Sequence, residues 1–278
     1  MRAPSANAFL ARQLRDLGAT LEATLPRVRK RSDDEAIHDM RVALRRLRVV
    51  LKLSRPIFGR FHVDAIRGAL TRVHRASGAL RDEEVLEETL KSLGVESPEL
   101  DAWIARRARR EKTLRALVDR RLRAGDLRRP LRLLDALVAL PVPPKRRKDA
   151  RELARRALLR ARRDVDDQRD ASPDDIVALH ELRIAFKRLR YTAEIFHDVL
   201  SLDLAALAEP AARFQKRLGT IHDLDVAQTV IARARNLHVR LREEVLAAIA
   251  HERAKQVELY LRMLQPPATA APASRHAH

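Results

Sequence analysis

Apolar residues recur along this chain every three or four positions, the spacing of one face of an α-helix. Met40, Leu44, Leu47 and Leu51 form one such row. No stretch alternates apolar and polar residues long enough to propose a strand, and only seven glycines interrupt the pattern, so the expectation is all-α. Pro26 and the polar cluster from Arg29 to Asp33 separate a first helix, about 6–28, from a second, about 33–54. Pro56 and Gly59 end the second helix and Gly78 a third. Asp82 is then expected to cap a fourth helix reaching Leu93, and Ser97-Pro98 opens a fifth that runs to Ala124. Gly125-Asp126 starts a sixth that stops at Pro141. Ser172-Pro173-Asp174 reads as an N-cap with proline in the first turn.

The chain repeats itself. Residues 38–48, HDMRVALRRLR, align with residues 180–190, HELRIAFKRLR, at an offset of 142, and every aligned pair is identical or conservative. A second echo at offset 141 lays Arg72–Asp82 over Arg213–Asp223, and Asp82-Glu-Glu-Val85 over Asp223-Leu-Asp-Val226. The halves divide at PVPPKRRK, residues 141–148, which reads as a Pro-rich basic linker. The expected organisation is a helical bundle over 5–140, the linker, a second bundle over 149–264, and a tail over 265–278. The tail has too little apolar mass to fold.

Projected on a helix, His38, Arg41, Arg45, Arg48, Lys52 and Arg55 share one arc of roughly 100°, with apolar rows on both sides. Arg46 and Asp39 fall opposite. The second copy places His180, Arg183, Lys187, Arg190 and His197 on the same arc, and Glu194 stands where the first copy has Lys52. A solvated helix face usually mixes signs, because like charges three or four apart repel. Five cations and a histidine in one row make sense if an anion neutralises them. Arg72 and Arg75, or Arg213 and Lys216, add cations on the following helix, and Arg81 or His222 stands just before the aspartate. These lie near a helix C-terminus, where satisfying the dipole is an equal explanation. Asp82 and Asp223 are expected to be caps rather than catalytic carboxylates.

Charge sharpens this picture. Lys and Arg number 57 against 38 Asp and Glu, a net +19, and 48 of the cations are Arg. Arginine is the better bidentate ligand for phosphate and carboxylate, although a GC-rich genome gives the same bias. A polyanion is the implied partner: nucleic acid, inorganic polyphosphate or an anionic membrane surface. Without cysteine there are no disulfides, thiolate metal sites or cysteine nucleophile, and no apolar run approaches the ~18 residues of a membrane span. The N-terminal residues mix charges among the apolar positions, unlike a signal peptide. A cytoplasmic location is the expectation. No phosphate-cradling glycine loop, dinucleotide fingerprint, nucleophile elbow or zinc-protease motif occurs, so no catalytic residue, metal or cofactor is expected.

Two copies of His-x-x-Arg-x-x-x-[Arg/Lys]-Arg-x-Arg, each followed by Gly-x-[Leu/Ile]-[Arg/His]-Asp-x-[Glu/Asp]-Val, resemble the CHAD domain, the conserved histidine α-helical domain. The resemblance spans about residues 5–262. It implies two four-helix bundles related by a pseudo-two-fold axis, and binding of inorganic polyphosphate on a basic surface lined by the motif helices. It also implies association with polyphosphate granules. Carried over by position, the ligand-facing residues are His38, Arg41, Arg45, Arg48 and Lys52, with His180, Arg183, Lys187 and Arg190. Arg72, Arg75, Arg81, Arg213 and Lys216 are the weaker set. His222, where the family usually has Arg, and Glu194 imply a weaker grip in the second half. The Glu-x-Glu-x-Lys motif of the triphosphate-tunnel domain often fused to this family is absent, so the chain reads as a stand-alone, non-enzymatic member. A nucleic-acid binder is the alternative, weakened by a 3% aromatic content that leaves little for base stacking. An enzyme acting on polyphosphate or nucleotides is the third reading.

Overall fold

The computed structural model describes residues 4–30, 35–123, 125–140 and 149–264. The expected linker, 141–148, and tail, 265–278, lie outside the described residues. Among the described residues eleven α-helices follow one another: α1 (Ala6–Lys30), α2 (Glu35–Phe58), α3 (Arg60–Ala76), α4 (Gly78–Ser92), α5 (Pro98–Arg123), α6 (Arg128–Ala139), α7 (Ala150–Asp166), α8 (Ile176–Phe196), the single turn α9 (Leu202–Ala205), α10 (Ala208–Ala232) and α11 (Val239–Leu264). An isolated backbone bridge joins Ser5 to Asp149, and no strand occurs among the described residues. The all-α class is as the periodicity predicts.

Several helix ends depart from expectation, each for a local reason. Pro56 does not end α2, which runs on to Phe58, because the carbonyl it deprives of a donor is that of the exposed Lys52; Pro26 lies in the last turns of α1, within the expected 6–28. Asp82 caps nothing. Ser77, in helical backbone and with its hydroxyl donating to the His74 carbonyl at 3.0 Å, only bends the chain, so α4 resumes at Gly78 and Asp82 lies inside it. In the second half α10 runs unbroken through Gly219, which leaves Asp223 mid-helix. Ser172 accepts from the Asp174 amide in a turn, and the cap of α8 is Asp175, whose carboxylate accepts from Val177 and Ala178 at 3.0 and 2.9 Å. Asp149 caps α7 in the same way. Gly59, at φ 88°, makes the turn between α2 and α3 that other residues resist.

The halves share their cores. One cluster gathers Leu10, Leu14, Leu44, Leu47 and Leu70 from α1, α2 and α3, and adds Ala150, Ala154, Tyr191, Ile195 and Phe196 from the second half. A second packs Leu86, Trp103 and Ile104 of α4 and α5 against Leu224, Ile231 and Val245 of α10 and α11. The third, Leu158, Leu182, Phe186, Leu218 and Tyr260, holds α7, α8, α10 and α11 together. Consequently α2 and α8, the two motif helices, touch each other, each held from behind by its own neighbours, α1 and α3 or α7 and α10.

Candidate anion-binding site

Helix α2 buries Met40, Ala43, Leu44, Leu47, Val50 and Leu51. Its next arc therefore emerges beside the core, half-buried, and this arc carries Arg41, Arg45 and Arg48. Helix α8 does the same with Arg183, Lys187 and Arg190 beside buried Leu182, Phe186 and Leu189. The two stripes meet where α2 crosses α8. Arg45 Nη1 donates to the hydroxyl of Tyr191 on α8 at 2.9 Å, with its guanidinium 5.9 Å from the ring centroid. Arg190 lies 5.5 Å from the same ring and donates to Glu194 at 2.6 Å. Tyr191 is thus a plate between one cation from each repeat. Arg41 is tied at the bend between α3 and α4, donating to Ser77 Oγ at 2.8 Å and to the His74 carbonyl at 3.2 Å.

The cations are crowded enough to alter one another. Burial, then the charges of Arg45, Arg183, Arg48 and Arg41, lowers the Lys187 ammonium to about 7. Arg41, Arg48 and Arg183 are all pulled down too, chiefly by burial, with Arg45 adding to each. His74 faces Arg41, Arg48, Arg45 and Lys187 and is held neutral, at about 3, by burial and those charges. His180 and His222 set their Nδ1 atoms 3.4 Å apart with ring centroids at 4.6 Å, and burial lowers both, His222 to about 4. Two carboxylates border the cluster. Asp82 senses Arg41 and Asp223 senses Arg183, yet burial raises both, Asp223 to about 6.

Four side-chain nitrogens in this cluster are buried without a hydrogen-bond partner among the described residues: the Nε–H donors of Arg45, Arg48 and Arg183, and Nε2 of His74. Lys187 makes no hydrogen bond or ion pair with any described residue. An unmade bond at a buried polar group costs about 1–3 kcal/mol, more at a charged one. Three of these groups are on cations, drawn from both repeats, and an anion with several acceptor oxygens can pair with them.

A model of the CHAD domain matches residues 11–232. The chain belongs to the CHAD domain family. Among solved structures, the crystal structure of the CHAD domain from the plant Ricinus communis superposes with a TM-score of 0.77 at 21% identity, covering 94% of this chain and 92% of that one. The structure titled PptA from Streptomyces chartreusis gives 0.70 at 17% identity, over 95% of this chain and all of that one. Both show the shared fold. No curated protein matches the chain.

Within this CHAD domain, six sequence-selected residues converge: Arg41, Arg45, Arg48, Arg183, Lys187 and, at the edge, His180. Arg190 joins them through Tyr191. Lys52 continues the stripe outward into the field of Arg188, Arg67 and Arg55, the last held by Asp64 at 2.5 Å. Arg75 is exposed but lies close enough to lower Arg48. His38, Arg72, Arg213 and Lys216 are exposed, outside the convergence. Arg81 is engaged by Glu84 and Glu88, both at 3.3 Å. Arg46, projected to the opposite face, reaches Glu194 of α8 at 3.5 Å. His74, Ser77 and Tyr191 are additions that sequence reading missed. The signal for His74 was its place between Arg72 and Arg75 in the second echo, where its aligned partner, Gln215, also buries an unpartnered oxygen. Among the described residues no group of three or more His, Asp or Glu is arranged to hold a metal ion, and no helix is long and apolar enough to cross a membrane.

Proposed function

We propose that this CHAD domain binds inorganic polyphosphate, without turning it over, in the groove between α2 and α8. The observation that supports this reading is the set of three buried, unpartnered Nε–H donors on Arg45, Arg48 and Arg183, with the unpartnered Nε2 of His74 beside them. They come from three helices and both repeats, so one isolated phosphate satisfies few of them and a chain of phosphates satisfies all. Arg41, Lys187 and Arg190 add charge at the same place, and Lys52 and Arg75 extend it along α2 and α3. In cells this binding would place the protein on polyphosphate granules.

The test is a salt titration of binding to long-chain polyphosphate beside duplex DNA and single-stranded RNA of matched charge. Polyphosphate is expected to be retained at physiological salt, with a log–log slope reflecting several released counterions, while the nucleic acids are lost. Equal affinities collapsing together would replace this reading with a general cationic surface. Arg41→Glu, Arg45→Glu and Arg48→Glu combined are expected to abolish binding with helicity intact. Because Arg46 is bonded to Glu194, the exposed Arg155 of α7 is the sounder control for charge reversal. Release of phosphate from polyphosphate in the presence of Mg²⁺ would overturn the non-enzymatic part.

A further inference from the structure

The repeat places Arg45 and Lys187 at aligned positions of α2 and α8, and the fold brings the two into one cluster. Chemically they differ in one respect. A guanidinium keeps its proton in any accessible environment, whereas an ammonium releases its proton when buried among like charges. Every charged group around Lys187 can be named. From α2 come Arg41, Arg45 and Arg48, and from its own helix Arg183 and His180. Helix α3 contributes His74, and α10 contributes His222. Asp223 on α10 and Asp82 on α4 border the cluster, and the leading cationic charges they sense are those of Arg183 and Arg41. On the α7 side Asp164 is engaged by Arg188. Lys187 has no hydrogen-bonded anion of its own.

We infer that anion binding in this groove is coupled to proton uptake, with Lys187 as the principal acceptor, so that the site is filled more tightly as pH falls. This rests on the polyphosphate reading above and adds its regulation. The empty groove tolerates a neutral amine at Lys187; a row of phosphates replaces the repelling field by an attracting one and restores the ammonium. The arithmetic follows from linkage. With Lys187 at about 7 in the empty site and back near its ordinary ~10 in the complex, binding takes up about 0.9 proton at pH 8 and about 0.1 at pH 6. Affinity then falls about tenfold between pH 6 and pH 8, and about tenfold again by pH 9. Asp223 and the three imidazoles, which also gain protons beside an anion, add uptake of the same sign on the acid side. A long chain is the right probe, since only its terminal phosphates titrate near neutrality.

The experiment is calorimetric titration of the full chain with long-chain polyphosphate from pH 6 to pH 9, each point in two buffers of different ionisation enthalpy, at constant ionic strength. The wild type is expected to show the roughly hundredfold loss and the growing proton uptake. Lys187→Arg, which installs the residue of the first repeat, is expected to bind at pH 6 within a few-fold of wild type and to stay nearly flat to pH 9. Any slope left in it belongs to the imidazoles and Asp223 and lies below about pH 7. Far-ultraviolet circular dichroism checks that the variant is folded. Binding by the wild type with no pH dependence, or an unchanged slope in Lys187→Arg, overturns the inference and leaves polyphosphate binding standing. No binding at any pH overturns both.

Discussion

Replacing Lys187 with Met tests the electrostatics of the empty groove without any ligand. Met keeps a flexible, unbranched side chain of similar length and removes the charge. Lys187 has a lower pKa in the folded chain than in the unfolded one, where it is near 10.5. The unfolded chain therefore holds that proton more tightly. The resulting cost to stability is fully present below about pH 7 and is relieved as pH rises toward the unfolded value. A lysine moved from near 10.5 to about 7 costs roughly 4–5 kcal/mol at pH 6. At pH 9 about half of that remains. His74, His222 and Asp223 titrate in both proteins and cancel to first order in the difference.

Urea unfolding of wild type and Lys187→Met at pH 6 and pH 9 measures it. The variant is expected to be more stable by about 4 kcal/mol at pH 6 and about 2 kcal/mol at pH 9, while binding polyphosphate more weakly at both. A gain in stability with a loss of binding is the mark of a charge kept for its ligand. A variant less stable at pH 6, or a difference that does not shrink with pH, would refute the reasoning and show that Lys187 is supported by its surroundings.

Tyr191→Phe removes the hydroxyl that fixes Arg45 and keeps the ring between Arg45 and Arg190; polyphosphate affinity is expected to fall about two- to fivefold, with stability changed by no more than about 1 kcal/mol, read by calorimetry and urea unfolding. Asp223→Asn removes a carboxylate that titrates at about 6 beside Arg183, so affinity at pH 8 should rise a few-fold while affinity at pH 5 barely changes, because the wild-type group is already protonated there. Gly219→Ala meets no atom within 4 Å inside the continuous α10 and is expected to stabilise the fold by about 0.5–1 kcal/mol in thermal unfolding without touching affinity.

The part of this site that could be read from the chain is the part that a single helix encodes. Arg41, Arg45 and Arg48, and Arg183 and Lys187, follow 3.6-residue spacing, and a like-charged row beside an apolar one marks itself by local rules alone. What local rules do not contain is which rows face each other. Tyr191 aligns with Val49, an ordinary flanking apolar residue, and becomes a cation's anchor only because α8 crosses α2. Arg46 projects to the far side of an isolated α2 and nevertheless finds Glu194, because the far side of one helix is the near side of another. Asp82 was misplaced for a related reason. Gly78 resembles a helix stop, but it keeps helical backbone after the bend at Ser77, and that bend is held by a contact to Arg41 from thirty-six residues earlier.

Divergence between the aligned positions then gains a physical meaning. Where the first stripe has Arg45, the second has Lys187; where the first has Lys52, the second has Glu194, which is spent on Arg190 and Arg46. At the next aligned pair Arg81 is matched by His222, one engaged by glutamates and the other paired with a neutral His180. At Arg45 and Arg81 the first repeat keeps a permanent charge where the second holds a titrating lysine or a neutral imidazole, and at Lys52 it keeps a cation where the second has a carboxylate already paired. A groove made of two identical arginine stripes would repel itself at every pH. With Arg45 permanent and Lys187 able to release its proton, the protein without a ligand reduces that repulsion, and on the proposed reading a bound polyanion would restore the charge. Lys187→Arg is therefore expected to be less stable than wild type when empty at pH 9, even though it grips the anion better there, and urea unfolding at that pH decides the point.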